Sequence, residues 1–170
     1  MFNKSFIPSG ITSLRLIAAP IFFYTILSEL YLFSLMVFVF ACATDLLDGY
    51  IARRTDSTSN IGAYLDVTAD FILIVVCFLA YIIIGWYDPL ILVLITMMFA
   101  LFVVTSGLKT PVYDPVGKYL GAFLMLTILL SLLFPEQVLR QLLIILLALF
   151  SLASIISRLF IFLRRYNASS

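Results

Sequence analysis

The stretch DLLDGYIARRTDSTSNIGAYLDVTAD, residues 45–70, places five aspartates and two arginines in a chain that is otherwise almost entirely apolar. Of the 170 residues, 64% are hydrophobic and 11% are charged, and the mean hydropathy is +1.21. Soluble domains are closer to half apolar. The long apolar runs on both sides of this stretch therefore predict an integral membrane protein, in which clustered carboxylates call for a functional explanation.

Six apolar segments can be marked, and a helical span needs about 20 such residues. Polar or proline-bearing loops separate them. We expect an all-α membrane protein with six transmembrane helices, forming a single membrane domain over residues 1–170. The predicted segments are 11–27, 31–47, 62–85, 89–106, 117–134 and 138–163.

The distribution of lysine and arginine predicts the orientation in the membrane. One side of the predicted bundle receives most of the basic residues, whereas the other receives Arg140 with Glu29, Asp88 and Glu136. Both termini and the 45–70 stretch are therefore expected to face the cytoplasm, in a multi-pass protein of the cell membrane. The basic residues on the predicted cytoplasmic side are Lys4, Arg53, Arg54, Lys109, Lys118, Arg164 and Arg165.

Composition also narrows the chemistry. The chain has no histidine, so acid–base or metal chemistry must use carboxylates. The formal net charge is +1, which indicates no nucleic-acid partner. Cys42 and Cys77 both lie in apolar runs, and we expect them to be buried free thiols.

The aspartates at both ends of the 45–70 stretch have helical spacing. Asp45 and Asp48 are three residues apart, Asp66 and Asp70 are four apart, and each pair therefore shares one helix face. The short loop between them predicts antiparallel neighbouring helices whose acidic faces converge. Like charges repel strongly at low dielectric, and hard divalent cations relieve that repulsion. A packing hydrogen bond explains one intramembrane aspartate more readily than it explains this set.

Small residues beside the aspartates predict that a ligand approaches closely. Gly49, Ala52 and Gly62 leave the helix surface smooth, and Arg53 carries a planar fork that suits a phosphate or the edge of a base. Metal ligands, a smooth surface and a phosphate-binding cation together predict a site for a nucleotide diphosphate.

The stretch resembles the signature of the CDP-alcohol phosphotransferase family, D-x2-D-G-x2-A-R-x8-G-x3-D-x3-D. Every fixed position matches between Asp45 and Asp70. The resemblance implies an enzyme that transfers a phosphatidyl-type group from a CDP-linked lipid, CDP-diacylglycerol or an ether analogue, to a polar alcohol such as glycerol 3-phosphate or inositol phosphate. CMP is released, and relatives are commonly homodimers.

The resemblance also implies roles for single residues. Two divalent cations, Mg²⁺ or Mn²⁺, would be held by Asp45, Asp48, Asp66 and Asp70, and Asp70 would act as the general base. The CMP part of the donor would be surrounded by Asp48, Gly49, Ala52, Arg53 and Gly62.

Four basic residues are expected to bind a phosphorylated acceptor, although positive-inside topology alone also explains them. Arg15 is favoured because it lies within an apolar segment, and ITSLR at residues 11–15 is similar to an L-T-x-x-R element of glycerophosphate-using members. DVTADF at residues 66–71 lacks the proline and lysine of the D-P-x-A-D-K version of that group, so the acceptor stays open. The four residues are Arg15, Lys109, Lys118 and Arg158.

Two other functions use the same aspartates. A small divalent-cation transporter or channel would use them as a transit site, and an inactive assembly partner would merely keep the motif. The outer halves of the predicted spans are almost purely apolar, which favours a one-sided site near the cytoplasmic surface over a path through the membrane.

Overall fold

A computed structural model contains six α-helices, and no strand occurs in the residues that it describes. Those residues are 6–54, 60–106, 115–134 and 136–168 for the backbone, and 14–44, 67–101, 103, 119–134 and 136–157 for the side chains. The all-α prediction is confirmed. The helices are α1 (Phe6–Leu27), α2 (Tyr31–Arg54), α3 (Asn60–Ile83), α4 (Leu90–Ser106), α5 (Pro115–Leu133) and α6 (Gln137–Ala168).

Three helices extend beyond their apolar segments by five residues or more. α1 begins at Phe6 rather than at residue 11, α2 continues to Arg54 rather than ending at residue 47, and α6 ends at Ala168 rather than at residue 163. Hydropathy marks where a helix leaves an apolar environment, whereas the backbone stays helical while its residues favour that conformation. The predicted loop over Arg53 and Arg54 is therefore wrong, because these residues form the last turn of α2.

The chain divides into two compact units, Met1–Trp86 and Tyr87–Ser170. The first contains α1, α2 and α3, and the second contains α4, α5 and α6. The single membrane domain over residues 1–170 stays a prediction.

Helix α1 is the centre of the first unit, because it packs against both α2 and α3. Its buried residues recur at helical spacing, which defines one stripe along the helix. The ring of Phe22 lies in the middle of that stripe, with its centroid 6.0 Å from Phe38 on α2 and 6.0 Å from Tyr81 on α3. The buried stripe is made by Arg15, Ala18, Ala19, Phe22 and Ile26.

One end of the first unit is closed by two similar helix ends and a pair of aromatic rings. After α1, Glu29 takes a positive φ of 59°, and the amide of Leu30 donates to the carbonyl of Thr25 at 2.9 Å. After α3, Gly85 has a φ of 78° in the same kind of turn. Tyr31 stacks on Trp86 at 5.5 Å, so the start of α2 lies beside the end of α3, as expected for antiparallel helices.

In the second unit α6 packs against α5 and α4. Stacked rings of Phe123 and Phe150, 5.5 Å apart, join α5 to α6. The hydroxyl of Tyr87 lies 2.6 Å from that of Ser131, which itself donates to the carbonyl of Thr127 at 2.6 Å. Tyr87 is therefore the donor of the first bond, and this chain of hydroxyls anchors the segment before α4 to α5.

The described helices expose large apolar side chains as well as burying them. Among the described residues, Gln137–Ser157 of α6 is the stretch that is long and apolar enough to cross a membrane by length and composition, and the other helices carry shorter apolar stretches. Such broad apolar exposure is unusual for a soluble surface. Examples from α1 through α6 are Ile17, Phe33, Ile72, Val93, Leu126 and Ile145.

Candidate active site

The signature aspartates lie on two helices of the first unit. Asp45 and Asp48 are in the second half of α2, and Asp66 and Asp70 are in the first half of α3. The spacings of three and four residues therefore fall on helical backbone, as predicted. The side chain of Asp70 is described, whereas those of the other aspartates lie outside the described residues.

Asp70 forms an ion pair with Arg15 across the contact between α3 and α1. The Nη1 atom of Arg15 donates a hydrogen bond to Oδ1 of Asp70. The Arg15 side chain is only 1% exposed, whereas that of Asp70 is 33% exposed. The carboxylate is thus held on one side by a buried cation and is accessible on another.

The buried part of this pair follows from the stripe on α1. Ala18 and Ala19, one turn after Arg15, are small and buried, which lets a neighbouring helix approach α1 closely. Ala69, beside Asp70, is buried as well. A guanidinium in such a contact needs a carboxylate partner, because a buried charge without one is strongly destabilising.

Sequence reasoning named both members of this pair and missed their contact. The sequence predicts Arg15 at the acceptor and Asp70 at the metals and as the general base, and the two residues are separated by 55 positions. Local spacing carries no signal for a contact at that distance in the chain. The one hint was an arginine inside an apolar segment, since such residues pair with another group. The predicted contact of Arg15 with the acceptor stays a prediction.

The remaining predicted site residues can be placed by helix alone or not at all. Lys109 lies outside the described residues. For the others the backbone is helical, and their side chains are outside the described set: Gly49, Ala52 and Arg53 on α2, Gly62 on α3, Lys118 on α5 and Arg158 on α6.

The donor set of the predicted metal site fits hard divalent cations. Carboxylate oxygens are the ligands that Mg²⁺ and Mn²⁺ prefer. The Asp70 side chain is partly exposed, so a cation can reach its carboxylate. Among the described side chains no three of His, Cys, Asp and Glu come together to bind a metal. Three of the four predicted ligands are not among those side chains, so the metal site stays a prediction.

Comparison with known proteins identifies the family. The family model for CDP-alcohol phosphatidyltransferase matches residues 5–168. The chain is similar to proteins named CDP-diacylglycerol–glycerol-3-phosphate 3-phosphatidyltransferase from Pseudomonas fluorescens, with 45% identity over 73 residues, and from Wigglesworthia glossinidia brevipalpis, with 40% identity over 73 residues. A protein of the same name from Cereibacter sphaeroides is 36% identical over 110 residues.

These matches cover part of each protein. They include 41%, 41% and 61% of this chain, and they span 37%, 40% and 48% of the respective relatives. The family model, by contrast, extends over nearly the whole sequence and includes the complete 45–70 signature. The chain therefore belongs to the CDP-alcohol phosphatidyltransferase family.

Proposed function

We propose that this protein transfers a phosphatidyl group from a CDP-linked lipid to glycerol 3-phosphate and releases CMP. The observation that carries the proposal is the family match over residues 5–168 together with an unbroken signature. Glycerol 3-phosphate is placed first because the similar proteins are named for that acceptor. Inositol phosphate and other polar alcohols are the alternatives, and an ether-linked donor is the alternative to CDP-diacylglycerol.

The proposed reaction is a single displacement at phosphorus. The acceptor hydroxyl oxygen forms a bond to the phosphorus that bears the lipid, and the bridging P–O bond to CMP breaks. Asp70 takes the hydroxyl proton, because an alcohol is a poor nucleophile until a base removes that proton. The accessible side of the Asp70 carboxylate is the feature that supports this assignment.

Divalent cations complete the proposed site. Asp45, Asp48, Asp66 and Asp70 would hold two of them, Mg²⁺ or Mn²⁺, and the ions supply neutralisation of the charge that develops on the leaving phosphate. The oxygen-only donor set and its position on two helices support this part of the proposal.

Other residues of the signature would bind the nucleotide, and basic residues would bind the acceptor. For CMP we assign Asp48, Gly49, Ala52, Arg53 and Gly62. The phosphate of the acceptor suits the cations Lys109, Lys118 and Arg158, of which the last two lie on α5 and α6. Arg15 was predicted with them, but its burial and its contact with Asp70 favour a different part in the reaction.

The proposed setting is a homodimer in the cell membrane, with six spans and both termini in the cytoplasm. The exposed apolar faces of the described helices support membrane burial, and the distribution of lysine and arginine supports the orientation. A lipid-linked donor also explains a site close to the membrane surface.

The test is CMP release by the purified full chain in detergent with CDP-diacylglycerol and Mn²⁺ or Mg²⁺. We expect release with glycerol 3-phosphate above that with serine, inositol, inositol phosphate or ethanolamine, and we expect EDTA to abolish it. Release with inositol phosphate alone would change the acceptor and keep the reaction. Absence of release with every acceptor would refute the transferase. The alternative of a cation transporter receives no support from the comparisons.

A further inference from the structure

We propose that Arg15 is a positioning residue that acts through the carboxylate of Asp70 and does not contact the acceptor. The inference rests on the proposed function, because that function gives Asp70 its part in the chemistry. It replaces a direct role of Arg15 in binding with an indirect role in orienting the base.

The burial of Arg15 is the first observation behind this role. Its side chain is 1% exposed and continues the stripe of α1 that faces the interior of the first unit. A residue that binds a small soluble acceptor has to present its charge where that molecule arrives. Arg15 instead presents a guanidinium N–H to Oδ1 of Asp70.

The second observation is the asymmetry between the two partners. The Asp70 side chain keeps 33% of its surface accessible, so reactants can reach the carboxylate but not the cation behind it. An aspartate on a helix has several staggered rotamers. The bond from Arg15 selects one of them, and a base needs a fixed orientation to lie within hydrogen-bond reach of the hydroxyl.

The third observation is that Arg15 stands on a helix that is itself fixed. About two turns along α1, Phe22 packs against Tyr81 on α3 and Phe38 on α2. This packing fixes the position of α1 relative to α3. Arg15 is therefore held in place, and its ion pair fixes the orientation of the Asp70 carboxylate. Supporting contacts on rigid elements are what hold a reactive group in a productive geometry.

Steady-state kinetics of Arg15→Gln and Arg15→Lys separate positioning from binding. We expect Arg15→Gln to lower kcat about 100-fold, the size expected when a reacting group is misplaced, with the KM of each substrate within about threefold of the wild type. Arg15→Lys should recover part of kcat, because an ammonium keeps the charge but loses the planar fork. A rise in the KM for glycerol 3-phosphate with unchanged kcat would overturn the proposal.

A matched control is provided by Thr25→Val in the same helix. Thr25 is buried and accepts a hydrogen bond from Ser34 at 2.8 Å, so this variant also removes a buried polar contact of α1. Its kcat should stay within about twofold of the wild type, since a local loss of one hydrogen bond leaves distant geometry in place. A fall in kcat equal to that of Arg15→Gln would mean that any damage to α1 has this effect, and would overturn the positioning role.

A second measurement does not depend on turnover, and it uses the mild variant in case Arg15→Gln does not fold. Thermal unfolding is compared for the wild type, Arg15→Lys, Asp70→Asn and the double variant. If the two side chains act on each other, the double variant should be no less stable than the less stable single variant. Additive losses would overturn the proposal.

The outcomes also separate this inference from the proposed function. A wild-type chain that releases no CMP with any acceptor refutes the transferase, and the positioning role falls with it. An active wild type in which Arg15→Gln changes only the KM for the acceptor leaves the transferase intact and refutes the positioning role alone.

Discussion

In their described parts, the two units of this protein differ in whether they bury a charged side chain. In the first unit the buried guanidinium of Arg15 meets Asp70, within a core that contains the rings of Phe22 and Tyr81. Among the described side chains of the second unit, the buried polar ones all carry a hydroxyl: Thr127, Ser131, Ser151 and Ser154. A charge costs far more to bury than a hydroxyl, so it needs a stronger reason to be kept.

The difference indicates how chemistry and support are divided along the chain. The whole 45–70 signature and the described ion pair belong to the first unit, whose aromatic core fixes the helices that carry them. The described part of the second unit shows packing and hydroxyl bonding, which a supporting structure needs.

The largest effect should come from Asp70→Asn, which tests whether the first unit carries the chemistry. The amide keeps the size of the side chain and cannot accept the hydroxyl proton, so CMP release should fall about 1,000-fold, within the range for losing a general base. Size-exclusion chromatography and circular dichroism should show an intact fold.

Asp56→Asn is the matched control for that variant. It makes the same chemical change within the same stretch, at a position that the signature does not fix. Its activity should stay within about twofold of the wild type, because the family signature gives this position no role. Full activity of Asp70→Asn would remove Asp70 from its role as the base.

The next largest effect should come from Phe22→Ala, which breaks the aromatic core of the first unit. Phe22 is fully buried and contacts rings on both neighbouring helices, so the cavity should lower the free energy of unfolding by about 3–5 kcal/mol. Denaturant unfolding in detergent measures it. Phe33→Ala on α2, where the side chain is 58% exposed, should cost much less, and equal losses would contradict the central place of Phe22.

Two glycine substitutions should have opposite signs. Gly85 has a positive φ of 78° after α3, and Gly85→Ala should therefore cost about 1–2 kcal/mol of stability although the space around it is open. Gly121 lies within α5, also with nothing close to an added Cβ, and Gly121→Ala should add about 0.5–1 kcal/mol. Thermal unfolding of both variants decides this, and a stabilising Gly85→Ala would contradict the turn described after α3.

A further small effect concerns Tyr87, which lies outside the helices and anchors the second unit. Burial raises the pKa of Tyr87, while the hydrogen bond with Ser131 and the charge of Arg140 oppose that rise. The folded protein then holds this proton to higher pH than the unfolded chain. The contribution of protonated Tyr87 to the free energy of unfolding is therefore complete below about pH 10. It is lost as the pH rises through the raised pKa.

Tyr87→Phe should therefore do two things. It should lower stability by about 1 kcal/mol at neutral pH, since one hydrogen bond is lost while Ser131 keeps its bond to Thr127. It should also remove part of the loss of stability above about pH 10. Unfolding curves of the wild type and Tyr87→Phe across pH 7–11 measure both effects. An identical loss of stability at alkaline pH in the two proteins would contradict the raised pKa of Tyr87.

Much of the fold could be predicted because apolar runs of the right length mark helices. The sequence located all six helices, and it placed Asp45 and Asp48 on one helix and Asp66 and Asp70 on another. It misplaced the end of α2, because polarity begins before Arg54 while the backbone stays helical. The spacing of the aspartates also predicted the shared face within each helix, which depends on local geometry alone.

Contacts between distant segments could not be predicted in the same way. The central position of α1 and the pairing of Arg15 with Asp70 depend on how three helices pack, and no periodic pattern encodes that partner choice. Glu29 is a further example, because a positive φ at a glutamate contradicts residue preference. The turn that joins α1 to α2 imposes it.

The unbroken course of α2 from Tyr31 to Arg54 has a mechanical consequence. Phe38 packs in the aromatic core, and Asp48 lies about 15 Å further along the same helix. Inserting one residue between them would turn the distal half of α2 by about 100° about its axis and move the positions of Asp45 and Asp48 to a different side of the helix. The number of residues between Phe38 and the signature therefore determines the side of α2 from which Asp45 and Asp48 project.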